Sequence, residues 1–317
     1  MKQLWCAVSL MAGSLMYSSV APAETTSGAL LQQMEQASQS LNYELAYINV
    51  SRLGIESLRY RHAVLNDKVY AQLLQMDGPR REVIQRGKEV SYFEPGLEPF
   101  TLTSDHIVDS LPSLVFADFQ QVAENYDFVP VGRARIADQL CEVVRIVARD
   151  GTRYSYIVWL DSETKLPLRI DLLDHDGETL EQYRVVSFAV DDGVRRMMQG
   201  LEKANMPPSF SMPVAEKVTF NWKPGWIPAG MKELTESRRR IPALNKLVDS
   251  RLYSDGLFTF SINVSAADKN SVPQLLRTGR RTVQTEIRDN TEITLVGEIP
   301  PSTAKRITDG VILGAAR

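Results

Sequence analysis

Residues 43–65 read YELAYINVSRLGIESLRYRHAVL, and this stretch sets the pattern for most of the chain. Runs rich in Val, Ile, Tyr and Leu are interrupted by short turn sequences, here Arg52–Gly54. Similar turn sequences follow at Asp77–Pro79, Arg86–Lys88, Asp150–Gly151 and Asp174–Gly177. Glycine at such turns supplies the positive φ that tight hairpins need. About ten strands of this kind, with few helices between them, predict an antiparallel meander.

The segment before this stretch, Ser27 to Leu41, predicts an amphipathic helix with Thr26 or Ser27 as its N-cap. Its apolar face consists of Leu30, Leu31, Met34, Ala37 and Leu41. A sheet of about ten strands must curl or close, and this helix offers an apolar face to the concave side. The predicted fold class is mainly β (α+β): an unclosed antiparallel barrel around a helix and a loop. Such a barrel leaves room for an apolar cavity at its mouth.

A proline-rich segment divides the chain. Met206 to Pro213 contains three prolines, which break regular structure. We therefore predict a large domain at 24–205, a semi-rigid linker at 206–216 that could hinge, and a small domain at 217–317.

Shorter elements are also predicted. In the large domain, 109–125 is expected to be helical or irregular, and 194–205 to be a short helix. In the small domain, a closing helix should begin at a cap on Ser302. Its strands are predicted near 218–222, 231–236, 257–264, 283–287 and 293–298.

Charge separates the two parts of the chain. Residues 24–215 hold 19 Lys and Arg against 28 Asp and Glu, whereas residues 216–317 hold 16 against 11. The basic second part favours an anionic partner.

The first 23 residues predict export. Lys2 precedes the apolar run Leu4–Val20, and Ala21–Ala23 has the small-x-small pattern of a cleavage site. The run is typical of a signal peptide, cleaved near Ala23, and is too short for a membrane anchor. Cleavage leaves Cys141 as the one cysteine, which excludes an internal disulfide and favours a buried strand thiol.

No sequence pattern of catalysis or metal binding stands out. Gly-x-Ser-x-Gly, His-Glu-x-x-His, Walker and dinucleotide patterns are absent. His62, His106 and His175 are interpreted as structural or solvated. Asp174–Glu178 resembles the start of a calcium loop, but Val185 occupies the position that needs a bidentate Glu. We therefore predict no enzyme activity, no catalytic residue, no metal and no cofactor.

Two candidate binding surfaces remain. Guanidinium groups bind carboxylates and phosphates through paired hydrogen bonds, which fits an acidic protein or a lipid phosphate. The candidate partner-binding residues are Arg238, Arg239, Arg240, Arg277, Arg280 and Arg281. Large apolar side chains on the strands of the large domain are the candidates for lining an acyl-chain cavity. They are Tyr60, Leu73, Met76, Tyr92, Phe93, Tyr156, Trp159 and Tyr183. Nucleic acid is not expected as a partner of an exported chain.

Several long segments resemble the RseB/MucB family. They are Glu56–Ala63, Leu73–Glu82, Ser91–Leu102, Arg149–Trp159, Ser250–Phe258, Leu276–Thr282 and Pro300–Arg306. The likeness covers the whole chain, the signal included. It implies a periplasmic negative regulator of the sigma-E envelope-stress response, with a large domain of the LolA/LolB type and a small domain that contacts the partner.

The resemblance also implies the partner and the signal. The partner would be the periplasmic region of RseA, the membrane-spanning anti-sigma factor, which the bound regulator shields from a DegS-type protease. Lipopolysaccharide, another acylated ligand or a mislocalised lipoprotein would release it. The alternatives are a lipid or lipoprotein carrier, which needs no basic second domain, and a secreted hydrolase. The oligomeric state is left open, a homodimer included.

Overall fold

The structure, a computed structural model, describes residues 26–108, 110–210, 218–241 and 246–314. The predicted signal peptide and residues 211–216 of the predicted linker lie outside these described residues. The strands of the large domain are β1 (Tyr43–Ser51), β2 (Gly54–Leu65), β3 (Lys68–Gln75), β4 (Glu82–Arg86), β5 (Glu89–Phe93), β6 (Phe100–Thr103), β7 (Tyr126–Ile136), β8 (Gln139–Ala148), β9 (Ser155–Asp161), β10 (Pro167–Leu173) and β11 (Thr179–Val190). Its helices are α1 (Ser27–Ser40), α2 (Phe119–Val122) and α3 (Asp192–Met198), with 3₁₀ turns at Ser113–Phe116 and Gln199–Lys203.

All eleven strands form one antiparallel sheet in the order β6-β5-β4-β3-β2-β1-β11-β10-β9-β8-β7. The sheet consists of two meanders, β1 to β6 and β7 to β11, which meet where β1 pairs with β11. The edge strands β6 and β7 are not paired with each other among the described residues, so the barrel is unclosed. The predicted fold class is confirmed. The hairpin turn at Asp174–Gly177 is also confirmed, with Gly177 at a φ of 82°.

Helix α1 and the segment between β6 and β7 pack against the inner side of the sheet. Thr26 caps α1 by accepting a hydrogen bond from the backbone N–H of Ala29 at 3.3 Å. The buried face of the helix, which includes Leu31 and Met34, joins the same apolar core as Leu45 and Tyr60 of the sheet. The predicted helix and its apolar face are therefore confirmed, with Leu41 as the C-cap residue.

The described start of the predicted linker, residues 206–210, runs alongside strand β6. Two backbone hydrogen bonds join Thr101 to this segment. Its N–H donates to the carbonyl of Pro208 at 3.0 Å, and its carbonyl accepts from the N–H of Phe210 at 2.7 Å. Residues 206–210 therefore cover an edge of the large sheet before the chain reaches the small domain.

The small domain is a second antiparallel sheet with one helix. Its sheet order is β13-β14-β15-β18-β17-β16, and α4 packs on β17 and β18. Its elements are β12 (Trp222–Pro224), β13 (Lys232–Ile241), β14 (Lys246–Ser254), β15 (Thr259–Ala266), β16 (Gln274–Thr278), β17 (Arg281–Arg288), β18 (Thr291–Gly297), α4 (Pro301–Asp309) and β19 (Val311–Leu313). Within the described part of the chain, no helix combines the length and the apolar character needed to span a membrane.

Three predictions for the small domain were wrong in detail. The strand expected at 218–222 begins only at Trp222, where β12 pairs with β19. Strands β14 and β16 were not predicted. Ser302 is not the cap of α4, because the helix begins at Pro301 and Pro300 is its N-cap residue. Proline suits the first helical position since its φ is already helical and the missing N–H would have no partner there.

The apolar core continues from one domain into the other. Phe258 of the small domain stacks on Tyr156 of the large sheet, with ring centroids 5.3 Å apart, and meets Tyr154 edge-on at 6.3 Å. The hydroxyl of Tyr154 donates to the carbonyl of Ile299 at 3.2 Å. The two sheets are thus packed together over a continuous buried contact.

Candidate ligand cavity between the domains

A cavity of about 710 Å³ lies between the large sheet and the small domain. Because alternate residues of a strand share a face, the pair Glu56 and Leu58 and the pair Ile170 and Leu172 both reach it. The small domain contributes the Gly256–Leu257 turn, Thr259 of β15, residues of the β16–β17 hairpin and Glu298, which follows β18. This volume lies in the range of small-molecule sites, so the cavity can take an acyl chain but not a whole lipopolysaccharide.

The cavity wall combines buried apolar side chains with charged ones. The buried aliphatic side chains are Leu58, Leu73, Leu111, Ile170, Leu172 and Leu257. The charged side chains are Glu56, Arg81, Glu181, Arg280, Arg281 and Glu298. Leu53 and Val108 are exposed on the rim of the same cavity. A wall that combines apolar and charged surface in this way suits an amphiphile.

Two buried tyrosines in the wall have unsatisfied hydroxyl groups. The hydroxyls of Tyr156 and Tyr183 have no hydrogen-bond partner within the described chain. Burial raises the pKa of both phenols well above the usual value. Both groups therefore stay protonated at physiological pH. An acceptor atom that reached either hydroxyl would give it a hydrogen-bond partner and remove the cost of burying it without one.

His106 is the histidine of the cavity wall. Its ring stacks on Phe116 with centroids 4.2 Å apart, and burial lowers its pKa, against the opposing effect of Asp105. His62 lies elsewhere, buried beside Tyr43, and His175 is exposed in the Asp174–Gly177 turn. Among the residues that the structure describes, no cluster of three or more His, Cys, Asp or Glu side chains is arranged to hold a metal ion.

The structure brings together three of the eight candidate cavity residues. Leu73, Tyr156 and Tyr183 line the cavity, whereas Tyr60 is buried in the core of the sheet. The other four lie away from the cavity. Met76 is about half exposed, Tyr92 stacks on Phe100, Phe93 is half-buried at the end of β5, and Trp159 lies under the guanidinium of Arg169.

The candidate arginines form two groups in space. Arg238, Arg239 and Arg240 lie on the edge strand β13, where Arg238 is paired with Asp249. Arg277, Arg280 and Arg281 lie around the β16–β17 hairpin beside the cavity. Arg280 and Arg281 both line the cavity, and Arg281 is exposed.

Two of these arginines cross the domain interface. Arg277 pairs with Asp174 of the β10–β11 turn at 2.5 Å. Arg280 lies 3.5 Å from Glu181 of β11 and 3.1 Å from Glu298 of its own domain. In the second basic cluster, Arg277 and Arg280 are therefore engaged with the large domain, whereas Arg281 is exposed.

A second ionic contact between the domains was not foreseen from the sequence. Arg153 has a fully buried side chain that pairs with Asp255 of the small domain at 3.0 Å and with Asp150 at 2.9 Å. Its guanidinium also donates to the carbonyl of Ala229, and the hydroxyl of Tyr126 donates to Asp255 at 2.6 Å. In the sequence, the one sign of a buried arginine is its position beside the apolar stretch Tyr154–Leu160. That position does not identify a partner in a distant segment.

The fold and the cavity define a two-domain binding protein, in which a half-barrel and a small sheet domain flank a cavity lined by both apolar and charged side chains. Two family models match the chain: the MucB/RseB N-terminal domain over residues 26–210 and the MucB/RseB C-terminal domain over residues 216–312. The chain belongs to the MucB/RseB family, as the resemblance predicted.

Individual relatives agree with this assignment. The chain is 63% identical to the sigma-E factor regulatory protein RseB of Escherichia coli K12 over 318 residues, which covers 100% of both chains. It is 39% identical to the sigma-E factor regulatory protein RseB of Haemophilus influenzae, over 98% of this chain and 99% of that one. Among solved structures, the Pseudomonas aeruginosa MucA/MucB complex matches with a TM-score of 0.71 and 25% identity, over 92% of this chain and 99% of that chain.

Proposed function

We propose that this protein is a periplasmic negative regulator of the sigma-E response. It binds the periplasmic region of an RseA-type anti-sigma factor and shields that region from a DegS-type protease. The observation that carries the proposal is the 63% identity to a sigma-E factor regulatory protein over the full length of both chains. The likeness to MucB, whose structure includes MucA, supports a protein partner of the same kind.

The proposed location follows from the sequence of residues 1–23, which has the pattern of a cleaved signal peptide. The proposed activity is binding rather than catalysis.

The proposed signal is an acylated ligand such as lipopolysaccharide. Its acyl chain enters the cavity between the domains, where Leu58, Leu172 and Leu257 are already arranged as an apolar wall. Each buried methylene contributes about 0.8 kcal/mol before ordering costs. Such a ligand releases the partner only if it binds the free regulator better than the bound one.

A reconstituted cleavage assay tests the proposal. The mature chain is mixed with a fluorescent periplasmic segment of the anti-sigma factor, and affinity and DegS-type cleavage are measured with and without lipopolysaccharide. We expect binding and protection without lipid, and loss of both with lipid. Binding that persists at saturating lipid would reject the coupling, and absence of any binding would reject the proposed function.

A matched pair of variants tests the basic surface. Arg239→Glu with Arg281→Glu reverses two exposed arginines of the small domain and should weaken partner binding most at low salt, where exposed charges act most strongly. Arg133→Glu, an exposed arginine of the large domain, is the control. Equal affinity of all three proteins at low salt would remove these arginines from the partner site. Co-purified lipid together with no affinity for the anti-sigma segment would instead favour the carrier alternative.

A further inference from the structure

The ion pairs that cross the interface between the described parts of the two domains fall into two groups, at different places and in different surroundings. We call Arg153, Asp255 and Tyr126 the buried anchor, and the pairs Arg277–Asp174 and Arg280–Glu181 the clasp. The anchor is closed off from water: the side chains of Arg153 and Asp255 are 0% and 3% exposed. The clasp is partly open to water: Arg277 and Arg280 are 32% and 25% exposed, and their partners Asp174 and Glu181 are 13% and 34% exposed.

The clasp adjoins the cavity, and the anchor does not. Arg280 and Glu181 both line the cavity, whereas no anchor residue does. The clasp joins the β10–β11 turn and strand β11 to the β16–β17 hairpin, so its two arginines tie the small domain to the wall of the cavity. Separation of these two hairpins would widen the cavity on the side of the clasp.

The chemistry of the clasp also differs from that of the anchor. The guanidinium of Arg153 is buried and donates to Asp255, Asp150, Thr152 and the carbonyl of Ala229, so an outside anion has no place there. The clasp arginines, in contrast, are partly exposed guanidinium groups. Arg277 holds Asp174, and Arg280 holds Glu181 together with Glu298 of its own domain. Phosphate competes well for such groups.

We propose that the clasp is a gate of the interdomain cavity, and that the phosphate of an anionic amphiphile opens it by taking Arg277 and Arg280 from their carboxylates. The small domain then pivots on the buried anchor, and the acyl chain enters. This inference rests on the proposed ligand of the cavity, and it adds the place and the chemistry of entry.

A covalent bridge across the clasp tests the gate. Asp174→Cys with Arg277→Cys in the mature chain is joined by a short bismaleimide, and the native Cys141 is buried and does not compete. The probe is a fluorescent lysophosphatidic acid, and its rate of uptake is measured. The same variant with each cysteine capped separately lacks the ion pair in the same way but is not bridged. A bridged Lys305→Cys with Asp309→Cys protein, altered within α4 alone, is the second control.

We expect the bridged clasp to take up the probe at least about tenfold more slowly than the capped form, because the closed state is then held covalently. The α4 bridge should have no effect. Equal rates in the bridged and capped clasp proteins would overturn the gate. Affinity for the anti-sigma segment is measured on the same samples. Retained affinity with equal uptake rates would reject the clasp alone, whereas no uptake by any form would reject the proposed ligand.

A second comparison tests the role of the phosphate. In the native protein, lysophosphatidic acid should enter about fivefold faster than a fluorescent monoacylglycerol of the same chain length, since only the former competes for the arginines. In Arg277→Gln with Arg280→Gln, both probes should enter at one rate, and faster than monoacylglycerol enters the native chain. A preference for the phosphate that survives in this variant would overturn the assignment. Inorganic phosphate should speed monoacylglycerol entry more than sodium chloride of equal ionic strength does. Equal effects of the two salts would overturn the proposed role of phosphate, because charge screening alone would then explain the opening.

Discussion

The buried anchor and the clasp join the same two domains with the same chemistry, an arginine and a carboxylate. They differ in access to water. Arg153 is enclosed by Asp150, Asp255 and the ring of Tyr126, whose centroid lies 5.5 Å from the guanidinium carbon. Arg277 and Arg280 lie at a partly exposed edge. Removal of one partner from a buried pair leaves an uncompensated charge, whereas water replaces the partner of an exposed pair.

This difference assigns opposite roles to the two contacts. A contact that is costly to break keeps the domains together, and a contact that water or salt can break is suited to open. A count of the ion pairs would not have distinguished the two contacts, because burial rather than the number of pairs sets the strength of each contact.

Loss of the anchor carboxylate is the largest effect that we expect. Asp255→Ala leaves Asp150 as the one remaining carboxylate of the buried Arg153 and leaves the hydroxyl of Tyr126 without its acceptor. It should therefore lower the free energy of unfolding by about 3 kcal/mol, the lower end of the cost of breaking a buried pair. Urea denaturation followed by tryptophan fluorescence and circular dichroism measures the change. Asp249→Ala, which removes a pair on the outer strands of the small domain, is the control and should cost much less. Equal losses in the two variants would abolish the distinction between buried and exposed pairs.

The tyrosine of the anchor should have a smaller effect. Tyr126→Phe deletes one hydrogen bond to a charged acceptor, which is worth about 1.5–3 kcal/mol, and keeps the ring that covers Arg153. The same denaturation series measures it. Tyr253→Phe removes a comparable bond to Glu233 on the outer part of the small domain and should cost less because that site is more exposed. A larger loss for Tyr253→Phe would contradict the comparison.

Acid provides a third test of buried polar groups. His62 is 3% exposed, and its Nδ1 donates to the carbonyl of Leu41 at 2.8 Å. Burial lowers its pKa, while the bond to Leu41 opposes the shift. Below the ordinary value near 6.5, the unfolded chain therefore binds a proton that the folded chain does not.

The part of the free energy of unfolding that depends on neutral His62 should accordingly be fully present above pH 6.5 and be lost as the pH decreases toward the folded-state pKa. For one histidine, the loss is at most about 1.4 kcal/mol per pH unit. Thermal unfolding between pH 7.5 and 5 measures this slope. His62→Gln should flatten it, whereas His175→Gln, at an exposed turn, should leave it unchanged. An identical slope in all three proteins would remove His62 as the cause.

The clasp should contribute least to stability. Asp174→Asn with Glu181→Gln should reduce the free energy of unfolding by only about 0.2–1 kcal/mol per pair, with a smaller effect at high salt. Denaturation at 0.05 M and 0.5 M sodium chloride measures this dependence. A loss as large as that of Asp255→Ala would mean that the clasp, too, is a structural contact rather than a gate.

Local patterns predicted the half-barrel well. The turns and apolar runs between Tyr43 and Val190 identify strands because each hairpin is decided by neighbouring residues, and α1 follows from its spacing of apolar side chains. The small domain was harder to predict. Strand β14 carries Asp249 and Arg251, which look solvated in the sequence but pair across the sheet with Arg238 and Glu233.

The cavity could be predicted only in part. Alternation along a strand sets which residues share a face, but not which face is concave. Tyr156 and Trp159 are an odd number of residues apart on one strand, so only one of them could face the cavity, and it is Tyr156. The anchor and the clasp join distant segments, and no local pattern in the sequence links Arg153 to Asp255 or Arg277 to Asp174.

The order of strands in the large sheet has a consequence for folding. Strand β1 pairs with β2 immediately but must wait for β11, since Tyr43 is opposite Val190. Until that late strand arrives, β1 presents an unpaired edge, which is a template for wrong association. Such distant pairing also slows folding, because a long loop must close before the contact forms. The half-barrel should therefore mature in a single late step, in which two separately formed meanders meet at one seam.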